Sequence, residues 1–440
     1  MKKDNNAKTR AISLLKTISS TAVKASNEAI KRKLNKSTQT DSFMSEAALR
    51  LVKGLDELKG AAMKVGQLLS MVDDSILPPG WKDALSKLQS QATAKDWDYI
   101  EPILLNEFKD LKFIKHIEKQ AIHAASIGQV HKATLVDGRT VAFKIQYPDL
   151  EKNVHSDLQN MKKIVKIANL IPNMSNYDQV FDAVEKLFIQ ELDFKREQKF
   201  YEIYHEKFKN NSNILVPKTL PEYCRKNILT TEWIEAVSLQ DWLKQNKESI
   251  HSNPEFIATR DQLGSVLLEL VFTEVFHFKH IQSDPNPGNF LVTPLGQLVL
   301  LDFGATQELS DDLINNYAEL TLTAINENHQ EMLKVAKKMG FLHRHDPQDA
   351  KESFIKIMQI AIEPFKASTY SWKESKQLKR TNAESIHFMK ATKFRAPNSE
   401  VLFINRRLGG NLLIMESLGP TVHAREILLK ILNGKEKTIC

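Results

Sequence analysis

Strict alternation of apolar and polar residues marks two short parts of the chain and predicts two β-hairpins. The first hairpin runs over residues 127–135, turns at the Asp-Gly pair 137–138 and returns over 139–146. An Asp-Gly pair between alternating runs favours a tight hairpin turn, because these residues tolerate a positive φ. The second hairpin pairs residues 290–292 with 297–301 across a turn that contains Pro and Gly.

Other stretches carry apolar residues at the spacing of an amphipathic helix. An apolar face over residues 58–69 predicts one such helix. Residues 177–208 predict a single long helix, on which Asp193 and Glu197 lie four positions apart and share a face. Residues 263–278 are the best candidate for a membrane span, but the run contains two glutamates and is too short to cross a bilayer. We expect a buried helix of the folded protein there instead.

Charge is distributed unevenly along the 440 residues. Residues 1–40 hold ten basic and two acidic residues, so this arm carries +8 while the whole chain carries +7. The basic arm also has apolar residues at helical spacing. It predicts binding to an anionic membrane surface, with a solvated, partly disordered arm as the alternative. No nucleic-acid-binding motif is present, so no nucleic-acid partner is predicted.

Length and cysteine content narrow the class of protein. A chain of 440 residues can form two lobes and an extension. Its two cysteines, Cys224 and Cys440, provide neither a disulfide framework nor a metal-binding spacing. This favours a reducing compartment. We expect a cytoplasmic protein, including one on the inner membrane surface of a bacterium, or a mitochondrial protein if the source is eukaryotic.

The candidate chemistry lies around the second hairpin. Asp284 and Asn289 stand five positions apart before it, and Asp302 follows it within an Asp-Phe-Gly sequence. Kinase-type phosphoryl transfer needs Mg²⁺ to neutralise the phosphates and a group that orients the nucleophile. Mg²⁺ prefers oxygen ligands. The pattern predicts Asn289 and Asp302 as metal ligands, Asp284 as the group that orients or deprotonates a hydroxyl or water, and ATP and Mg²⁺ as cofactors.

The first hairpin supplies the upstream half of such a site. Lys144 ends a Val-Ala-Phe-Lys strand of the kind whose lysine reaches the α- and β-phosphates of ATP. The glycine-rich loop of ordinary kinases is altered, because its three glycine positions are His123, Ala125 and Gly128. Only the last keeps the conformational freedom of glycine. The sequence therefore predicts a phosphate lid that differs from that of ordinary kinases.

Residues 123–133, His-Ala-Ala-Ser-Ile-Gly-Gln-Val-His-Lys-Ala, resemble the Ala-rich loop of the UbiB/AarF (ADCK-type) family of atypical kinases. Three further segments are similar to motifs of this family: Lys-Val-Gly-Gln at 64–67, Glu-Leu-Asp at 191–193 and Asp-Pro-Asn-Pro-Gly-Asn at 284–289. The similarity extends from about residue 43 to about residue 342. The chain departs from the family pattern at His123, Ala236 and Asn286.

The resemblance implies an α+β class: a bilobal protein-kinase-like fold with a small antiparallel-sheet N-lobe, a helical C-lobe and an N-terminal helical extension. The predicted domains are a basic arm (1–40), the helical extension (41–115), the N-lobe (116–235) and the C-lobe (236–440).

The resemblance also implies a set of site residues. Spacing alone leaves open which helical carboxylate pairs with Lys144, and the resemblance assigns Glu197 to that ion pair. Glu191 and Asp193 are assigned to the neighbourhood of the Lys-x-Gly-Gln helix. The implied catalytic residues are Asp284, Lys144 and Glu197; the nucleotide-binding residues are Ala124, Ala125, Ser126, Gly128, Val130, Lys144, Glu232 and Ile234; the metal ligands are Asn289 and Asp302; the residues that gate the substrate are Lys64, Gly66, Gln67, Glu191 and Asp193.

Three functions remain open. The resemblance implies an atypical kinase-like ATPase that supports ubiquinone or related isoprenoid-lipid metabolism, with quinone or isoprenoid precursors or quinone-biosynthesis enzymes as partners. The second is a phosphotransferase acting on a protein or small molecule, although no long activation segment follows Asp302. The third is a pseudokinase scaffold that only binds nucleotide. The presence of every expected metal and phosphate ligand argues against the scaffold.

Overall fold

The computed structural model describes residues 94–124, 127–148, 185–186, 188–284, 286–392 and 399–436. Several predictions lie outside these residues: the basic arm, the apolar helical face over 58–69, and the candidate residues Lys64, Gly66, Gln67, Ala125 and Ser126. Two compact units divide the chain. One comprises Met1–Leu192 and Arg225–Thr230, and the other comprises Asp193–Cys224 and Thr231–Cys440.

The strands, in chain order, are β1 (Ile114–Ile117), β2 (His123–Ala124), β3 (Gly128–Leu135), β4 (Thr140–Gln146), β5 (Ile214–Leu215), β6 (Ile228–Glu232), β7 (Val237–Ser238), β8 (His280–Gln282), β9 (Phe290–Val292), β10 (Leu298–Leu300), β11 (Thr306–Glu308), β12 (Tyr370–Ser371) and β13 (Thr421–Val422). The helices with defined bounds are α1 (Trp97–Phe108), α2 (Phe194–Phe208), α3 (Leu239–Gln245), α4 (Pro254–Thr273), α5 (Asp311–Ile325), α6 (His329–Lys338), α7 (Gln348–Ala361), α8 (Gln377–Ala391), α9 (Ser399–Leu418) and α10 (Ala424–Glu436). A π turn, Glu274–Phe278, continues α4.

The first unit is built on a five-stranded sheet. Its strand order is β1-β3-β4-β6, and β2 also pairs with β3. Along β4 every second residue is buried, because successive side chains point to opposite faces of a strand. Val141, Phe143 and Ile145 are fully buried on one face, and Ile100 and Leu104 of α1 are fully buried as well. The predicted hairpin of β3 and β4 is confirmed.

The second unit is mainly helical and carries short sheets. The largest of these sheets has the order β5-β10-β9-β7, and β8 pairs with β11 in a separate ribbon. The predicted hairpin of β9 and β10 is confirmed. The predicted buried helix is also observed, because α4 and the π turn bury Leu267, Leu270, Val271 and Glu274. A sheet-based unit followed by a helical unit confirms the predicted α+β class.

The single long helix predicted over residues 177–208 is wrong at Asp193. The described residues of 185–192 are helical, but Asp193 leaves the helical conformation at φ −87° and ψ 85°. Its side chain accepts a hydrogen bond from the Arg196 N–H at 3.0 Å and so caps the new helix α2. A capping aspartate lies at the helix end. Asp193 and Glu197 therefore do not share a helical face as the spacing had indicated.

Within the described ranges, none of the helices combines the length and the apolar character that a transmembrane span requires.

Candidate active site

The loop after β8 places Asp284 and Asn289 in direct contact. Asn289 ends a short 3₁₀ turn, which the Asn286 side chain caps by accepting a hydrogen bond from the Gly288 N–H at 3.0 Å. The turn reverses the chain, and the Asn289 Nδ2 donates to the Asp284 Oδ2 at 3.0 Å. The five-residue spacing noted in the sequence thus joins the two side chains.

The hairpin of β9 and β10 adds Asp302 to this loop. The Leu301 N–H donates to the Asn289 carbonyl at 2.9 Å, so Asn289 lies beside the residue that precedes Asp302. Asp302 has a φ of +57°, in the left-handed region where aspartate is commoner than most side chains. Its Oδ1 accepts a hydrogen bond from the Gly304 N–H at 3.2 Å. The two predicted metal ligands are therefore neighbours.

The Asp-Phe-Gly segment is also held by an arginine that the sequence analysis did not identify. Arg196 of α2 donates through Nη1 to the Gly304 carbonyl at 3.0 Å and through Nη2 to the Thr306 carbonyl. Burial lowers the pKa of Arg196, and the nearby carboxylates of Asp193 and Glu308 oppose this effect. Arginine stays charged at neutral pH, so charge-assisted hydrogen bonds tie this segment to α2.

Arg406 of α9 is a second residue that sequence reasoning missed. Its Nη2 donates to the Asp284 Oδ1 at 3.0 Å, and the side chains of Arg406 and Asp284 are only 15% and 20% exposed. Both carboxylate oxygens of Asp284 thus accept a hydrogen bond, one from Arg406 and one from Asn289. The sequence signal was a pair of adjacent arginines in a mostly apolar helix, and it gave no indication of the partner.

A buried ion pair fixes α9 beside this contact. Arg407 and Glu274 are 0% and 1% exposed, and the Arg407 Nε donates to the Glu274 Oε2 at 3.0 Å. Glu274 also accepts hydrogen bonds from the Tyr204 hydroxyl at 3.0 Å and the Gln282 N–H at 3.3 Å. Burial raises the pKa of the Glu274 carboxyl, and Arg407 acts in the opposite direction. The Glu274 carboxylate therefore links α2, β8 and α9. Two of its partners are close in sequence to the Arg406–Asp284 contact, because Arg407 follows Arg406 and Gln282 is two residues before Asp284.

In the sheet-based unit, Lys144 lies on β4 directly opposite Val130 of β3. Both are half-buried, on the strand face opposite to the fully buried Phe143. Val130 also pairs with His123 of β2, and Ala124 is the next residue of that strand. The candidate nucleotide-binding residues of β2, β3 and β4 are thus neighbours on one sheet.

Gly128 has a packing role that the sequence analysis did not foresee. A Cβ atom at this position would lie 2.1 Å from the Ile145 carbonyl oxygen of β4. Such a contact is far closer than non-bonded atoms allow, so the close approach of β3 and β4 requires glycine here. The proposed contact of Gly128 with a phosphate stays a prediction.

The remaining candidates have different surroundings. Glu191 is buried at 8% exposure, and Glu197 is fully buried in the first turn of α2. Glu197 and Lys144 belong to different units, so their ion pair stays a prediction. Glu232 is exposed at the end of β6, where its Oε2 accepts a hydrogen bond from a backbone N–H at 3.2 Å. Ile234 is half-buried just after that strand.

The donor set near Asp284 fits a hard cation such as Mg²⁺. Asn289 uses its amide nitrogen on Asp284, and this leaves the amide oxygen available for a cation. Asp302, which follows the residue that donates to the Asn289 carbonyl, provides a carboxylate. Among the described residues no three His, Cys, Asp or Glu side chains form a cluster.

Comparison with known proteins gives consistent results. The family model for the ABC1 atypical kinase-like domain matches residues 87–336. The probable serine/threonine-protein kinase abkA of Dictyostelium discoideum is 27% identical over 87% of this chain and 70% of its own length. The mitochondrial atypical kinase COQ8 of Schizosaccharomyces pombe is 27% identical over 86% of this chain and 61% of its own length. The AarF domain-containing protein kinase 1 of Gallus gallus is 30% identical over 69% of this chain and 59% of its own length.

A solved structure supports the same fold. Rv3197 of Mycobacterium tuberculosis, determined as a complex with erythromycin, aligns with a TM-score of 0.62 at 24% identity. The alignment covers 89% of this chain and 97% of Rv3197. The predicted kinase-like fold is confirmed, and the family model and the relatives confirm the predicted resemblance to the UbiB/AarF family. The family model spans more than half of the sequence, and the chain belongs to the ABC1 atypical kinase-like family.

Proposed function

We propose that this protein binds ATP with Mg²⁺ and hydrolyses or transfers the γ-phosphoryl group as an atypical kinase-like ATPase. The observation that carries this proposal is the position of Asn289. Its side chain donates to Asp284, and its carbonyl accepts from the residue before Asp302. Three groups with the chemistry of phosphoryl transfer thus meet on two adjoining loops of one unit.

Each residue of the candidate site would have a separate role in binding the metal, the phosphates or the nucleophile. Asn289 and Asp302 would hold Mg²⁺, which when bound neutralises charge on the phosphates. Asp284 would orient the attacking water or hydroxyl, and Arg406 and Asn289 fix the direction of its carboxylate. The family resemblance assigns the phosphate-binding role to Lys144. Positioning and electrostatic stabilisation are the main demands of this reaction.

The chain between Asp302 and the next helix favours a small acceptor over a protein substrate. Residues 303–310 lead directly through β11 into α5, which begins at Asp311. An activation segment that presents a protein substrate needs more chain than this. The short connection supports hydrolysis, or transfer to a small molecule or lipid.

The relatives suggest a metabolic setting. We propose that turnover supports ubiquinone or related isoprenoid-lipid metabolism, because relatives named atypical kinase COQ8 align with most of this chain. Quinone or isoprenoid precursors, or quinone-biosynthesis enzymes, are then the expected partners. The basic arm over residues 1–40 would place the protein at an anionic membrane surface.

A turnover experiment tests this function. Purified protein is incubated with radiolabelled Mg-ATP, with and without anionic vesicles and phenolic quinone precursors, and label is followed into free phosphate, protein and lipid. We expect free phosphate, increased by vesicles or phenols, and greatly reduced turnover in Asp302→Asn. Label in protein or phenol would favour the phosphotransferase. Nucleotide binding without turnover would favour the scaffold, and no Mg²⁺-dependent binding would refute the proposal.

A further inference from the structure

We propose that Tyr201 and Gln282 are positioning residues, which hold the Asp302 peptide in its left-handed conformation and so aim its carboxylate at the metal. The metal role rests on the function proposed above. The conformation itself is a property of the described structure. A φ of +57° is disfavoured for a residue with a Cβ atom, so neighbouring contacts have to maintain it.

The two residues bind the Asp302 peptide unit from opposite sides. The Asp302 N–H donates to the Tyr201 hydroxyl oxygen at 3.1 Å. The Gln282 Nε2 donates to the Asp302 carbonyl and also to the Leu301 carbonyl, the latter at 2.7 Å. Tyr201 and Gln282 are only 5% and 1% exposed. Water therefore has little access to replace either partner, and both backbone groups of Asp302 depend on these side chains.

The residues after Asp302 are fixed by the same two elements. Phe303 is fully buried, with its ring centroid 4.7 Å from that of Tyr201 and 4.5 Å from that of Tyr204. The Ser283 hydroxyl donates to the Ala305 carbonyl at 2.7 Å. Helix α2 and Ser283, the residue after β8, therefore both contact the segment that follows Asp302.

The contacts of Gln282 and Ser283 link the position of the Asp302 carboxylate to that of the Asp284 carboxylate. Gln282 and Ser283 hold the Asp302 segment, and they directly precede Asp284 in the chain. A shift of β8 would therefore move the orienting carboxylate and the metal carboxylate together. Outer partners of this kind strongly affect metal affinity because they set the direction of the ligands.

Tyr201 and Tyr204 form a matched pair for the test. Both lie on α2, both pack on Phe303 and both are buried residues with a hydrogen-bonded hydroxyl. Only the Tyr201 hydroxyl accepts from the Asp302 N–H, whereas the Tyr204 hydroxyl donates to Glu274. Tyr201→Phe removes the proposed contact and keeps the ring. Tyr204→Phe removes the hydroxyl that donates to Glu274 and also keeps its ring.

The experiment titrates Mg²⁺ at fixed ADP and measures nucleotide binding by calorimetry, together with ADP binding in EDTA. We expect Tyr201→Phe to raise the half-saturating Mg²⁺ concentration about tenfold while metal-free binding is unchanged. Gln282→Met, which is similar in length and has no N–H in its side chain to donate to the two carbonyls, should act in the same direction. Tyr204→Phe should match the wild type in Mg²⁺ dependence, even where its melting temperature falls.

Hydrogen exchange of the ligand-free protein supplies a readout that does not require nucleotide. The Asp302 amide should exchange faster in Tyr201→Phe than in the wild type. In Tyr204→Phe its exchange rate should equal that of the wild type. The proposal is overturned if Tyr201→Phe keeps both the wild-type Mg²⁺ dependence and Asp302 protection, or if Tyr204→Phe shifts them equally. A wild type without Mg²⁺-dependent binding would refute the proposed function and the metal role. Exchange would still decide whether Tyr201 holds the peptide.

Discussion

Replacing Arg407 by methionine should destabilise the protein in a pH-dependent way. Arg407 is fully buried, donates through Nε to Glu274 at 3.0 Å and lies over the Phe290 ring at 5.3 Å. Methionine is unbranched and flexible, so it can keep much of the contact with that ring. The substitution therefore mainly removes the positive charge that opposes the buried carboxylate.

The size of the effect follows from the partners that remain. Breaking a buried ion pair by removing one member costs about 3–5 kcal/mol, because the other charge is left uncompensated. Glu274 keeps hydrogen bonds from the Tyr204 hydroxyl and the Gln282 N–H. Within the described part of the chain the Arg407 Nη1 and Nη2 have no hydrogen-bond partner, so the variant also removes two buried nitrogens whose N–H groups are unsatisfied. We therefore expect a loss at the lower end, about 3 kcal/mol.

The sign of the pH dependence comes from Glu274. Burial already raises the pKa of its carboxyl above the ordinary value of 4.5, and loss of Arg407 should raise this pKa further. The folded variant then holds a proton that the unfolded chain releases, so the free energy of unfolding falls as pH rises. Relative to the wild type, Arg407→Met should lose more free energy of unfolding at pH 8 than at pH 5. Both pH values lie above the pKa of a glutamate in the unfolded chain.

Urea denaturation at both pH values measures these free energies, and Glu274→Gln combined with Arg407→Met provides the control. The neutral amide cannot titrate, so the double variant should lose the added pH dependence and recover much of the stability. Equal deficits of Arg407→Met at the two pH values would contradict the reasoning. A double variant no more stable than the single variant would show that the uncompensated charge is not the cause.

The other predictions concern the site, a buried histidine and the arm. Arg406→Leu should reduce ATP turnover at least tenfold with little change in nucleotide affinity, because Asp284 loses one of its two orienting donors; wild-type turnover would rule out this role. Burial lowers the pKa of His131, whose ring nitrogens contact the Glu118 carbonyl and the Gln129 amide. The folded state therefore resists protonation, and stability should fall as pH drops through about 6.5. In urea denaturation, His131→Gln should remove this component, and an unchanged pH profile would disprove it. Deleting residues 1–40 should weaken co-sedimentation with anionic vesicles, at about 1 kcal/mol for each basic residue at the surface, and equal sedimentation at low salt would exclude a tether.

Local sequence signals were sufficient to predict the β3–β4 hairpin and the loop that holds Asp284 and Asn289. The hairpin of β3 and β4 could be predicted because an Asp-Gly turn between alternating strands involves only neighbouring residues. Asp284 and Asn289 could be identified for the same reason, since a five-residue loop brings them together. The residues at which helices end could not be read from the apolar periodicity alone. Asp193 fits a helical period, yet it caps α2 instead of continuing the helix before it.

Only the tertiary structure revealed what supports the site. Tyr201 contacts a residue 101 positions away, and Arg406 contacts one 122 positions away. Nothing in the local pattern specifies such pairs. Arginine and glutamate usually lie on the surface of a protein. Arg407 and Glu274 are instead buried together. A buried charge is tolerated only where a partner is brought to it, and chain packing, which places distant elements side by side, decides where that occurs.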